Sequence, residues 1–321
     1  MIHALVLAAG LGTRLRPLTD VRAKPALPVA GQPMIRRIIA WLVTHGVGDV
    51  VVNLHYRPQT LAAVLGDGSD LGVHLRYSWE QPQVLGSAGG PRHALGLLGD
   101  EPFIVVNGDT LTDVDLGRLS GAHRANGGLV TLALVPNREP HRYGGVRLDE
   151  QRRYLGVVPR GDAADGSYHF VGAQVASPAA FRSLADNEPL KSLGGVYDAL
   201  AAAEPGAIRG FVTEAGFWDI GTVSDYLATA SAFAGADGVP PDPRLPLSPV
   251  PAGARLQLSP SAVVRNSIIW DDVQINDHAV LDRCIVTDRV VVPASSSYQD
   301  AILIASDGAQ PLALPLDTPH V

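Results

Sequence analysis

The sequence predicts an α/β protein with a doubly wound, mostly parallel sheet, followed by a short β-helix-like extension. Three observations carry this. Short apolar runs alternate with stretches of helical period over residues 1–237. A proline-rich run then fills 238–253, with Pro240, Pro241, Pro243, Pro246, Pro249 and Pro251, and reads as a semi-rigid linker. Beyond it, over 254–305, Val263, Ile269, Ile275 and Leu281 recur at six-residue spacing, as do Val273, Ala279, Ile285 and Val291, the mark of a parallel β-helix.

Taken in order, 4–9 is an apolar run short enough for a buried strand. Apolar residues at 34, 35, 38, 39, 41 and 42 make one face of a helix over 34–45, which Gly46 ends. Strands are expected at 50–54, 73–77 and 103–107, with helices at 59–65 and 89–98 between them. In such a sheet ligands lie at the carboxyl ends of the strands, so the loops after 4–9 and 103–107 should share one edge. Segments 129–135, 143–148, 154–158 and 170–175 read as a strand-rich insertion over a second substrate. Helices follow at 179–184 and 196–203, a strand at 208–213, and a helix at 223–233 with Thr222 as its cap. The tail, 306–321, has little to bury and is expected to be partly disordered.

With 321 residues, 46% of them hydrophobic, the chain has material for one large domain or two unequal ones. Net charge is -7 with Lys and Arg scattered, which argues against a nucleic-acid partner. The single cysteine, Cys284, forms no internal disulfide and reads as a small buried residue. No charged-then-apolar leader and no run of membrane length is visible, so a soluble cytoplasmic protein without a membrane partner is expected.

Residues 5–33, LVLAAGLGTRLRPLTDVRAKPALPVAGQP, carry the chemistry. A buried strand turns at Gly10 and Gly12 into a loop with Thr13, Arg14, Arg16 and Lys24. Such a glycine-rich basic loop can cradle phosphates. It is not a dinucleotide fingerprint, because Leu15 stands where the third glycine would be, and no Gly-Lys-Ser/Thr follows for a Walker loop. Asp109 and Asp219 each lie just past a strand, where a carboxylate suits a hard cation as well as a turn. Asp113 and Asp115 read as solvated or capping.

The stretch closely resembles the signature of the sugar-1-phosphate nucleotidyltransferases: A-A-G-x-G-T-R-L-x-P-L-T at 8–19, K-P at 24–25 and P-V-x-G-x-P at 28–33. The resemblance implies a Rossmann-like fold of the nucleotide-diphospho-sugar transferase type, and a left-handed hand for the β-helix. It implies transfer of a nucleotidyl group from an NTP to a sugar 1-phosphate with release of pyrophosphate, Mg²⁺ as cofactor, and these two substrates as partners. Leu7, Ala8, Ala9, Gly10, Gly12, Thr13 and Arg14 would bind the nucleotide, with Arg14 on the leaving phosphates. Lys24 would sit near the reacting phosphates, and Asp109 and Asp219 would hold the metal, giving Arg14, Lys24 and Asp109 catalytic roles. EQPQVLGSAGG, 80–90, is similar to the base-recognition segment, with Glu80 or Gln81 on the base edge, Gly86 admitting base and ribose, and Ser87 where threonine is usual.

On the sugar side Tyr143-Gly144-Gly145 resembles Y-G-V, with Gly145 lining the pocket. The usual E-K-P is replaced by Val157-Val158-Pro159-Arg160, so Arg160 or Lys191 would clamp the sugar phosphate. Val171 stands where an asparagine commonly binds a sugar hydroxyl, which hints at an apolar pocket. The whole pattern is most similar to mannose-1-phosphate guanylyltransferases, implying GTP with mannose 1-phosphate. The weakened E-K-P is shared with N-acetylmuramate-1-phosphate uridylyltransferases, and dTTP or UTP with a hexose 1-phosphate is a further pairing. A non-catalytic nucleotide-sugar sensor is disfavoured by the presence of Arg14, Lys24, Asp109 and Asp219. An acyltransferase is disfavoured by the few coils and by His278 as the only histidine within them. Hexapeptide extensions commonly mediate assembly, which leaves a homodimer open.

Overall fold

A computed structural model describes residues 2–235, Leu245, Leu247, 255–308 and 310–316. By internal contacts the chain divides into two compact units: Met1–Leu11 with Ile35–Trp218, and Gly12–Met34 with Asp219–Val321. The proline-rich linker at 238–253 lies outside the described residues except for Leu245 and Leu247. No helix among the described residues is long and apolar enough to cross a membrane.

The first unit is built on a nine-stranded mixed sheet. Its parallel part runs Phe103–Asn107, Ile2–Leu7, Val47–Leu54, His74–Trp79 in space. Their centres, 4–7, 50–52 and 103–106, are continuously apolar because helices Met34–Thr44, Pro58–Leu65 and Gly86–Leu98 connect the strands and cover the faces, whereas the edge strand His74–Trp79 is partly polar. Val51 and Val105 pack with Ala88, Ala94 and Leu98 of the last of these helices in one apolar cluster. Leu7 stands beside Asn107 in register, and the Gly108 amide donates to the Leu7 carbonyl at 2.8 Å. The loops after these two strands therefore leave from the same edge, as expected.

The expected mostly parallel sheet reverses at Tyr168–Ala176, which runs antiparallel to Phe103–Asn107 on one side and to Val130–Pro136 on the other. Its pairing jumps between Phe170 and Gln174, where Gly172 takes φ 81. A Cβ at Gly172 would meet Asn107 at 3.2 Å, so the bare α-carbon lets the bulge approach the parallel strand. A helix at Leu116–Asn126 has no counterpart in the sequence reading. Only Leu116, Leu119 and His123 are buried on it, too sparse a stripe to announce itself, yet Asp115 caps its start by accepting from the Arg118 amide.

In the second unit the extension is a three-sided parallel β-helix of the left-handed type. Val263–Arg265, Val280–Asp282 and Ser297–Gln299 stack on one side, Gln257–Leu258, Gln274–Ile275 and Val291–Val292 on the next, and Ile268–Ile269, Ile285–Val286 and Ala301–Ile304 on the third. Residues facing one another in successive coils are 17 apart, as with Ser267 and Cys284. The six-residue series therefore slips by one position per coil. Val263 and Val291, counted in it, are 38% and 48% exposed, while Val264 and Val292 point inward. The corners are turned without glycine: Asn266, Arg283 and Asp300 sit in one column at φ 48, 51 and 52. Cys284 is fully buried, as expected. Within the tail, Leu312–Pro315 pairs antiparallel with Ala301–Ile304 and Leu316 is buried, while 309 and 317–321 lie outside the described residues.

The coil register makes a direct prediction. Ile275→Ala, which empties a buried position, should destabilise the extension by about 2–4 kcal/mol in denaturant titration, while Val291→Ala should stay within about 0.5 kcal/mol. Equal losses would restore the six-residue register.

Candidate active site

In the first unit the end of strand Ile2–Leu7 is tied to the loop at 80–90 through buried side chains. The Ala8 amide donates to Asn53 Oδ1 at 2.5 Å, and Asn53 Nδ2 donates to Glu80 Oε1 at 2.6 Å. Glu80 Oε2 accepts from the Leu85 amide at 2.7 Å. Glu80 is thus fully buried with both oxygens engaged. This corrects its expected place on the base edge: a fully buried carboxylate held by two internal donors presents no accessible oxygen to a base. Gln81, the next residue, is exposed. Gly90 is required here, because a Cβ would stand 2.8 Å from Glu80 Oε1.

The vacancy at Gly86 faces the Leu190 carbonyl, which a Cβ would meet at 2.7 Å, so it admits chain 188–190 rather than base and ribose. The same carbonyl accepts from the Ala88 amide at 2.9 Å and so satisfies the first turn of helix Gly86–Leu98. Ser87 Oγ accepts from the Ser192 amide and hydroxyl at 2.9 and 2.8 Å. Leu7 is half-buried, Ala8 and Ala9 are buried, and Gly10 is exposed with open space about its α-carbon.

Two sugar-side expectations are also corrected. Gly145 is buried, and the place of its missing side chain is taken by Ser167, so it does not line an open pocket. Val171 is fully buried and belongs to the sheet core, so its side chain offers a sugar no apolar surface. Arg160 and Lys191 are exposed. Among the described residues of this unit, a cleft of ≈ 300 Å³ is lined by Asn137, Arg138, Tyr143, His169, Glu214 and Phe217, among others. His169 stacks on Phe217 with ring centroids 4.5 Å apart and lies 4.4 Å from the Tyr143 ring. Arg138 and Glu214 pair at 2.9 Å. Burial pushes the His169 imidazole down to about 4, against a smaller upward pull from its hydrogen bond with the Gly144 backbone. The sequence signalled only Tyr143. His169 reaches it on the antiparallel strand Tyr168–Ala176 and Phe217 on the strand Phe217–Asp219, a long-range meeting that no local pattern reports.

Asp109, half-buried, directly precedes strand Thr110–Thr112, which pairs with Phe217–Asp219. Asp113 accepts from the Gly216 amide at 2.7 Å, the structural role expected of it.

In the second unit, Gly12 rather than Gly10 takes the left-handed conformation, with φ 63. A Cβ there would stand 2.9 Å from Thr19 Cγ2 and 3.1 Å from Lys24 Cβ. Thr19 also donates its hydroxyl to the Gly12 carbonyl at 3.0 Å. Thr13 and Arg14 are exposed, whereas Lys24 is buried. Arg14 Nη1 and Asp219 Oδ2 both lie against Gly221, at 3.1 and 3.4 Å from the position of a Cβ. Helix Val223–Ala232 begins there with a reciprocal cap, Thr222 Oγ1 accepting from the Asp225 amide and Asp225 from the Thr222 amide.

No group of three or more His, Cys, Asp or Glu suited to a metal occurs among the described residues. Asp109, in the first unit, and Asp219, in the second, each carry the oxygen donors that magnesium takes, the ion accepting one or two protein carboxylates and completing its shell with water and phosphate oxygens.

The chain belongs to the nucleotidyl transferase family, whose model matches residues 3–234. It is 29% identical over 303 residues to a mannose-1-phosphate guanylyltransferase of Mycobacterium tuberculosis, covering 88% of this chain and 83% of that one. Over 114 residues it is 48% identical to an N-acetylmuramate α-1-phosphate uridylyltransferase of Neisseria meningitidis, covering 36% of this chain and 49% of that relative. Among solved structures, HddC of Yersinia pseudotuberculosis shares the fold, with a TM-score of 0.63 at 24% identity over 73% of this chain and 100% of that one. These findings bear out the resemblance to the sugar-1-phosphate nucleotidyltransferases.

The buried imidazole carries a pH prediction. His169 resists protonation when folded, down to about 4, but accepts a proton near 6.5 when unfolded. Its contribution to stability is therefore present above pH 6.5 and is lost as pH falls towards 4, with a slope of up to about 1.4 kcal/mol per pH unit. His169→Gln should flatten that part of the stability curve, and an unchanged slope would exclude His169 as its source.

Proposed function

We propose that this protein transfers a nucleotidyl group from an NTP to a sugar 1-phosphate, and that 1–237 is the catalytic segment, 238–253 the linker, 254–305 the extension and 306–321 its tail. A phosphate oxygen of the sugar 1-phosphate attacks the α-phosphorus. The bond to the bridging oxygen breaks, and pyrophosphate departs with the electron pair. Both reactants are anions, so the work is positioning and charge neutralisation. The observation that carries this reading is the convergence of Arg14 Nη1 and Asp219 Oδ2 on Gly221. It sets a guanidinium fork, suited to departing phosphates, beside a carboxylate suited to a cation. Asp109 and Asp219 would hold magnesium, which supplies charge neutralisation between phosphates when bound. Loop amides from Gly10 to Thr13 would hold the NTP phosphates, Lys24 the reacting phosphate and Gln81 the base.

GTP with mannose 1-phosphate is the leading pair, supported by the relative whose likeness runs through 303 residues. UTP with N-acetylmuramate 1-phosphate is the second, supported by the 48% identity of the 114-residue segment and by Val157 and Val158 in place of a charged pair. The cleft walled by Tyr143, His169 and Phe217 would receive the sugar, whose ring faces suit aromatic surfaces. Arg160 or Lys191 would hold its phosphate.

Pyrophosphate release from an array of NTPs against sugar 1-phosphates with Mg²⁺ tests the reaction and the pairing together. One pair should dominate, and no release from any pair sinks the reading. Arg14→Ala and Asp109→Asn should each lower kcat by about a hundred-fold or more in folded protein. Phe217→Ala and Arg160→Ala should raise KM for the sugar phosphate more than for the NTP. Unchanged sugar-phosphate KM in either variant removes that residue from the sugar side.

A further inference from the structure

The signature loop contains a buried arginine that the chemistry above does not use. Arg22 lies between Thr19 and Lys24, the two residues packed on Gly12, and is 8% exposed. Its guanidinium reaches the β-helix. Nε donates to Asp288 Oδ2 at 2.7 Å and Nη2 to Asp288 Oδ1 at 2.6 Å, a two-point pairing. Nη2 also donates to Asp271 Oδ2 at 2.5 Å, and Nη1 to the loop's own Ala26 carbonyl at 3.4 Å. The guanidinium carbon sits 5.3 Å from the centre of the Trp270 ring.

Asp271 and Asp288 occupy the same position in successive coils, 17 residues apart, with the Asp271 amide donating to Asp288 Oδ1 at 3.2 Å. Two stacked carboxylates repel unless a cation lies between them, and the cation here comes from the signature loop. A second contact follows the same route. Trp270 Nε1 donates to the Tyr226 hydroxyl at 3.1 Å, which in turn donates to the Pro28 carbonyl at 2.6 Å. One coil corner therefore holds the loop at Arg22 and, through Tyr226, at Pro28, on either side of Lys24.

We propose that Arg22 is a positioning residue, and that Asp271 and Asp288 of the β-helical extension fix the loop bearing Arg14 and Lys24 in its working conformation. The extension is on this account part of the catalytic apparatus rather than an appendage for assembly. The inference rests on the nucleotidyl-transfer reading for its kinetic consequence, but not for its structural one.

The test uses the full-length chain with Asp271→Asn and Asp288→Asn together, which keeps shape and removes both charges. A triple variant adding Arg22→Met avoids leaving a buried cation unpaired, should the double variant fold poorly. Three quantities are read: amide hydrogen exchange over 12–28, kcat per folded molecule, and KM for each substrate. Exchange over 12–28 should quicken, kcat should fall by about ten-fold or more, and KM for the sugar phosphate should stay near that of the parent protein. Unchanged exchange and kcat overturn the proposal. So does a loss of activity that only follows the folded fraction, which would make the contact structural. If the parent protein releases no pyrophosphate in any pairing, the functional reading fails, and the exchange measurement alone then decides whether the extension holds the loop.

Discussion

The approach of Thr19 and Lys24 to the bare α-carbon of Gly12 is the contact on which the candidate site depends. A loop that must hold several cations still cannot do so with a large apolar core of its own. This one folds on itself instead, with the methyl of Thr19 and the first carbons of Lys24 filling the space a side chain at Gly12 would need. The left-handed turn that glycine permits is therefore also what brings a buried lysine close to the backbone of the turn. Arg14 points out of the same turn, exposed, against Gly221.

Much of this was readable in the chain. The inner parallel strands announced themselves because burial on both faces leaves a short continuous apolar run, and Thr222 and Asp115 because capping follows local rules. What stayed hidden was long-range. Tyr168–Ala176 has a run that serves equally in a parallel or an antiparallel strand, so its reversal, and with it the cleft joining Tyr143, His169 and Phe217, follows from pairing alone. Glu80 was expected at the base because its segment, 80–90, is similar to the family's base-recognition segment. Its role turns on Asn53 and Leu85, and Asn53 stands 27 residues upstream.

The extension shows another kind of limit. Six-residue spacing identified a β-helix correctly but misassigned two of its eight inward residues, Val263 and Val291, because three sides of unequal length add to 17. Its regular corners escaped notice for want of glycine: Asn266, Asp272, His278 and their counterparts take positive φ with side chains in place. Asparagine and aspartate tolerate that conformation better than most residues.

The short strand Leu312–Pro315 has a wider meaning. A stack of coils ends in exposed amides and carbonyls, an invitation for a second chain to continue the ladder. By folding back along Ala301–Ile304, the chain occupies that side with an antiparallel neighbour of its own, which cannot template another parallel coil. The other two sides end in strands of two and three residues, Val291–Val292 and Ser297–Gln299, too brief to seed a sheet by themselves. End-to-end polymerisation along that side is thus discouraged by Leu312–Pro315.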